Sequence, residues 1–324
     1  MNINKTNLVA AAVLGFGLAG AAQAQVVTIA SGAQGSLAYN TGQAVAKVAN
    51  DAGITARTQP LVGYLPLINA GEVDFGFSNL VEIGYAVSGT GNYTRENPNI
   101  QLVGTMFNLR TGLMAPCDLG LETVADLKEQ AGDLRIASEY TSSTIIPFYI
   151  MGGLANAGLT YDDFQQVPVP NFVAGMNALG DDLVDVALVS LNSGAGQQAS
   201  VKLKNRGGLC YVSLDNSPEG EKAFKDFLPA GAILPMEQND NINGLQDHAA
   251  NIMSIPWVMM TNGDASEDLV YEVTKSVAEN KDALVASFGA FNAFDAQAMA
   301  PASEVTYHAG ALRYYEEAGI PVGE

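Results

Sequence analysis

Between residues 26 and 214, short apolar runs of strand length alternate with runs of helical period, and this alternation constrains the fold more than any other feature. Val26 to Ala30 reads as a strand and leads into the small-residue loop Ser31 to Ser36. Leu37, Thr41, Val45 and Val48 then recur near one face of a helix. Ile54 to Gln59 and Val73 to Phe77 read as strands, with a short helix from Leu65 to Ala70 that stops at Gly71. Ile100 to Phe107 alternates apolar and polar residues, and Gly112 to Ala115 continues it. A second unit opens at Thr123-Val124-Ala125-Asp126, a capping box, and the pattern recurs at Thr160 to Asp163. Strands are expected at Leu134 to Ala137, Gln166 to Val169, Val184 to Val189 and Leu209 to Leu214, and helices at Ile145 to Ala155 and Val173 to Leu179. Such alternation predicts a parallel sheet covered by helices. Further on, Ile255 to Met260 reads as a buried strand, Asp264 to Ala286 as one long helix, and Ala309 to Glu317 as a last helix. No repeat or low-complexity linker separates the two α/β units, so crossing strands are expected to join them.

The first residues read as an address. Lys5 supplies a positive start, Leu8 to Ala21 an apolar run, and Ala22-Gln23-Ala24 a cleavage site before Gln25. Residues 1–24 are therefore expected to be a signal peptide, with the mature chain exported, in the manner of a bacterial periplasmic protein. In that oxidising setting Cys117 and Cys210 are candidates for one disulfide; two buried thiols are the alternative. A net charge of −19 argues against nucleic acid, whose binding needs clustered Lys and Arg. An anionic ligand would have to be held by local donors against that field.

Catalytic signals are poor. The two histidines, His248 and His308, are far apart, and no GxSxG elbow or HExxH spacing occurs. No metal or cofactor is expected. Polar loops that follow strands and precede helices are the richer signal, because ligands of open α/β sheets bind at the carboxyl ends of strands. Gln34, Gly35, Ser36 and Tyr39 form the first such group. Thr141, Ser142, Ser143 and Thr144 form the second; with Thr144 as N-cap, Pro147 falls in the first turn, and hydroxyls plus free N–H groups make an anion cradle. Asn192 and Ser193, and Ser78 with Asn79, are smaller groups that ordinary turn chemistry also explains. Arg110, near the expected crossing, is a candidate partner for a ligand carboxylate or for a surface ion pair.

Six segments in order, TIASGAQGSLAYNTG from Thr28, AGEVDFGFSN from Ala70, ETVADLK from Glu122, GLTYDDF from Gly158, EDLVYEVTK from Glu267 and HAGALRYYE from His308, resemble the TAXI family of solute-binding proteins of TRAP-type transporters. The resemblance implies an α/β protein of the two-lobed type II periplasmic-binding-protein kind, with ligand in the cleft between lobes. It implies 25–111 as the first part of lobe 1, 112–214 as lobe 2, and 215–324 as a return that completes lobe 1. It implies a monomer that captures a small carboxylate, such as glutamate, a related amino acid or a dicarboxylate, and delivers it to membrane subunits driven by an ion gradient. Carried over by position, it places Gly35, Tyr39, Asn79, Thr141 and Ser143 at the ligand. Leu61-Val62-Gly63-Tyr64 replaces a smaller loop, so Gly63 and Tyr64 are expected to shape a bulkier, more apolar site. A sensor subunit or a periplasmic hydrolase are the alternative functions.

Overall fold

The computed structural model describes residues 26–32, 34, 36–191 and 193–323. The expected signal peptide, and the candidate residues Gly35 and Asn192, lie outside them. Among the described residues ten strands occur in chain order: β1 (Val27–Ala30), β2 (Ala56–Gln59), β3 (Phe75–Asn79), β4 (Ile100–Pro116), β5 (Arg135–Glu139), β6 (Gln165–Val169), β7 (Ala187–Ser190), β8 (Leu209–Tyr211), β9 (Ala232–Met236) and β10 (Ala250–Asn262).

One sheet runs in the order β2-β1-β3-β10-β4-β7, with β8 also on β4 and β9 also on β10. The pairs β1/β2, β1/β3 and β5/β6 are parallel. All pairs around β4 and β10 are antiparallel. The sheet is thus mixed rather than wholly parallel. A chain that leaves one lobe on β4 and returns on β10 must lay the two side by side in opposite directions.

These two long strands cross the molecule. Along β4, residues 100–107 are mostly buried in one lobe and 111–116 in the other, while Asn108 and Arg110 between them are exposed. There Pro256 of β10 lies opposite Asn108, and the register slips between Trp257 and Val258. Apolar side chains cover β4 on either side of this stretch and leave it bare in the middle, which marks the hinge.

Each lobe has its own core. In lobe 1, Val45, Phe75, Phe77, Val273 and Phe291 are among the buried side chains of one layer, and Ile68, Ile83, Leu102 and Val258 of another. Lobe 2 gathers Leu113, Ile136, Ile150, Leu179, Val186 and Leu188. Phe224, Leu228, Leu245 and Ile252 join them, so the return segment helps fill the core of lobe 2 before β10 crosses into lobe 1. Cys117 and Cys210 are bonded to each other, tying the end of β4 to its partner β8.

The helix expected over 264–286 is two helices, Glu267–Ala278 and Lys281–Ser287. Asn280 breaks it: its backbone leaves the helical region, and its side-chain amide donates to the Ser276 carbonyl at 2.8 Å. The Thr123 capping box is present, with Asp126 Oδ2 accepting from Thr123 N at 2.8 Å. The box at Thr160 is present too, but it starts only a 3-10 turn.

Candidate ligand-binding cleft

The hinge register fixes where the polar loops lie. Asn79, the last residue of β3, pairs with Trp257, which pairs in turn with Phe107. Ser190, the last residue of β7, pairs with Thr111. Phe107 and Thr111 are four positions apart on one strand, about 13 Å at strand rise. The carboxyl ends of strands from both lobes therefore border the same gap, with the bare stretch of β4 at its floor.

The lobe 1 wall starts at β1. Ser36 caps the helix Leu37–Asp51, its side chain accepting from Tyr39 N at 3.1 Å. Gln34 is exposed and Tyr39 half-buried. Gly63, at φ +65°, turns the chain where a side chain would be strained. Tyr64 is not free to meet a ligand through its hydroxyl: it is buried, and that hydroxyl donates to the Phe77 carbonyl. Its ring lies against Gly76, where a Cβ would come within 3.0 Å of it. Tyr64 is therefore a packing residue of lobe 1, because the β3 backbone takes up the only polar group it has.

Asn79 caps the helix Leu80–Ser88, accepting from Glu82 N at 2.8 Å. Glu82 is the residue that the sequence conceals. Its carboxylate accepts from Ser78 Oγ at 2.7 Å and from Asn79 Nδ2 and Tyr93 OH at 3.2 Å each. An Asn-x-x-Glu spacing at a helix start reads as capping; here the glutamate side chain gathers side-chain donors instead. Burial and the nearby Glu82 charge raise the Tyr64, Tyr93 and Tyr149 phenols above the usual range, and all three keep their protons. Tyr149 belongs to lobe 2, so the influence of Glu82 crosses the boundary.

The lobe 2 wall follows β5. Glu139 and Tyr140 both take left-handed φ, +64° and +47°, which turns the chain sharply before the hydroxyl run. Thr141, Ser142 and Thr144 are exposed and Ser143 half-buried. Ser142 is committed, donating to the Pro170 carbonyl at 2.7 Å. Thr144 is not the N-cap. The helix starts at Ile146, one residue later, with Ile145 at the cap position and no side-chain cap. Thr144 Oγ1 instead accepts from Asn92 Nδ2 of lobe 1 at 3.1 Å. Tyr85 adds two further contacts between the lobes: its hydroxyl donates to the Phe227 carbonyl, and its ring lies 5.2 Å from that of Phe148.

Ser193 caps the helix Gly194–Lys202, accepting from Gly196 N at 3.2 Å. Arg110 is exposed and enters none of the ion pairs among the described residues. A separate concavity of about 470 Å³ opens beside Asp74 and Asn262, away from the hinge. Two of its polar side chains are occupied by backbone: Asp74 accepts from Thr28 N, and Asn262 donates to the carbonyls of Ile68 and Asn69. One group of possible metal ligands occurs among the described residues, Cys117, Cys210 and Asp247, and its two sulfurs are already spent on each other.

The NMT1-like family pattern matches residues 29–319, which takes in both lobes and the hinge. The chain belongs to the NMT1-like family. No curated protein matches the sequence. Solved structures share the architecture of this NMT1-like protein. MatC from Rhodopseudomonas palustris with bound malate is 12% identical, covering 83% of this chain and 89% of its own, with a TM-score of 0.52. The periplasmic binding protein BugD is 12% identical over 92% of this chain and 98% of its own, with a TM-score of 0.51. A further periplasmic transporter structure is 11% identical, at 92% and 93% coverage and a TM-score of 0.51. The fold is that of a periplasmic solute-binding protein, two-lobed and of type II. No described helix is long and apolar enough to cross a membrane.

Proposed function

We propose that this NMT1-like protein is an extracytoplasmic solute-binding protein of the TAXI type. In this reading it is a binding protein, not an enzyme, and works in the periplasm. It captures a small carboxylate, an amino acid such as glutamate or a dicarboxylate, with room for an apolar part, and hands it to the membrane subunits of a TRAP transporter. The observation that carries the reading is the pair of polar loop sets, one per lobe, bordering a gap whose floor is the bare stretch of β4 at Asn108 and Arg110. A ligand that touches both sets stabilises the closed arrangement by its differential affinity for it. The exposed Thr141 and half-buried Ser143 hydroxyls, with the N–H groups ahead of the helix Ile146–Ala155, supply the donors for a carboxylate.

A thermal-shift screen tests this. Protein unfolded and refolded to strip carried-over ligand is heated with L-glutamate, L-glutamine, glutarate, malate and 2-oxoglutarate. The reading expects a dose-dependent rise in Tm with at least one of them and no chemical change in the compound. A flat response to all, or turnover of the compound, overturns it.

A further inference from the structure

Glu82 sits on the lobe boundary. Its neighbour Val81 packs into the core of lobe 2, and its other neighbour Ile83 into a core layer of lobe 1. The carboxylate takes three side-chain donors, from Ser78, Asn79 and Tyr93, all from lobe 1. Those donors are neutral, and among the described residues no lysine or arginine forms an ion pair with Glu82. The three hydrogen bonds stabilise the ionised carboxylate but leave its net charge unneutralised, and an unneutralised carboxylate attracts a cation. Across the boundary, Tyr149 of lobe 2 is 3% exposed, and its buried hydroxyl has no hydrogen-bond partner. A buried phenol left unpaired is a group with an unfilled role.

We propose that Glu82 is the anionic end of a cation subsite in the cleft, which takes a protonated amine of the ligand and rejects a second carboxylate. This rests on the solute-binding reading and narrows it. One wall then offers a carboxylate and the opposite wall donors for an anion, so the cleft matches a molecule carrying both an ammonium and a carboxylate. A dicarboxylate would face Glu82 at short range with no neutralising partner.

Matched pairs of compounds test the subsite on the unaltered protein. Calorimetric titration with L-glutamate, glutarate, 2-oxoglutarate and 4-aminobutan-1-ol, on refolded chain, compares ligands with both charges, with carboxylates alone and with an amine alone. The expected result is that L-glutamate binds more tightly than glutarate and 2-oxoglutarate by on the order of tenfold or more. In Glu82→Gln, which keeps a hydrogen-bonding side chain of the same length, that preference collapses while the deaminated acids bind as before or better. The unliganded Tm of the variant serves as the folding control. If glutarate or 2-oxoglutarate binds as tightly as L-glutamate, the cation subsite is wrong and the carboxylate reading stands. If only the amine binds, and Glu82→Gln abolishes it, the subsite stands and the carboxylate reading fails. If nothing in the set binds the unaltered protein, both are overturned.

Discussion

The two walls of the cleft are built differently. On the lobe 1 side the polar groups are tied down: Ser36 and Asn79 cap helices, Tyr64 is sealed against β3, and Glu82 is held by three donors. On the lobe 2 side a left-handed turn at Glu139 and Tyr140 presents four consecutive hydroxyls, of which Ser142 alone is tied to its own lobe. The first wall is preorganised and carries negative charge; the second has spare donors. The difference teaches that a hydroxyl or amide at a strand end is not thereby a ligand contact. Where it caps a helix, its capacity is already used.

The lobes also differ in how they are held together, and the largest expected effect breaks that contrast. Lobe 2 carries the disulfide, which closes a loop of 93 residues, and lobe 1 has none among the described residues. Replacing Cys117 and Cys210 by serine should cost about 2–5 kcal/mol of stability. Urea unfolding checks this, with an unchanged midpoint removing the bond from the account.

Acid should separate the lobes next. His308 of lobe 1 is buried, and burial pushes its imidazole below the usual value, against the opposing carbonyls of Ala265 and Gly263. Its Nδ1 accepts from Gly310 N at 3.1 Å, a cap that protonation would break. Because the folded value is depressed, this contribution is whole above the unfolded value, about 6.5, and is lost as pH falls toward the folded value. In lobe 2, burial pulls the Asp185 carboxyl up, but hydrogen bonds from the Arg135 side chain and backbone win and hold it low. Its contribution survives until pH falls below about 3.9. The Tm should therefore drop between pH 7.5 and 5.5, and less so in His308→Asn, which retains a cap. An equal drop in that variant would place the acid sensitivity elsewhere.

The smallest effects sharpen the comparison most. Ser193→Ala removes a cap and should lower stability by about 1 kcal/mol without changing affinity for whichever acid the protein binds. Ser143→Ala should do the reverse, weakening binding by about 1 kcal/mol with Tm unchanged. Paired melting and calorimetry on both variants read this out. If the two behave alike, hydroxyls at the two positions do not have the separate roles given to them here.

Local chemistry was legible in the sequence because a few adjacent residues settle it. The Thr123 capping box and the helix after Ser36 are of this kind. Long-range arrangement was legible only in part: the continuation of 100–107 into 112–115 and the crossing between lobes were expected, but not the antiparallel pairing of β4 with β10 that makes the sheet mixed. The cap expected at Thr144 moved because the chain turns left-handed five residues earlier, which periodicity does not reveal. Asn280 was hidden inside an apolar repeat that continues past it. Glu82 was hidden for the opposite reason, since its spacing from Asn79 already had an ordinary explanation.

The central claim is that the lobes close on a ligand held between them. Spin labels at Val62→Cys and Val173→Cys test it most directly. Both sites are exposed, one in each lobe beyond the carboxyl end of a strand, and the native cysteines are bonded and do not take label. The distance between labels would be measured with and without the compound that raises Tm most. The account predicts a shorter and narrower distance distribution at saturation. An unchanged distribution, with the compound shown to be bound, would contradict it.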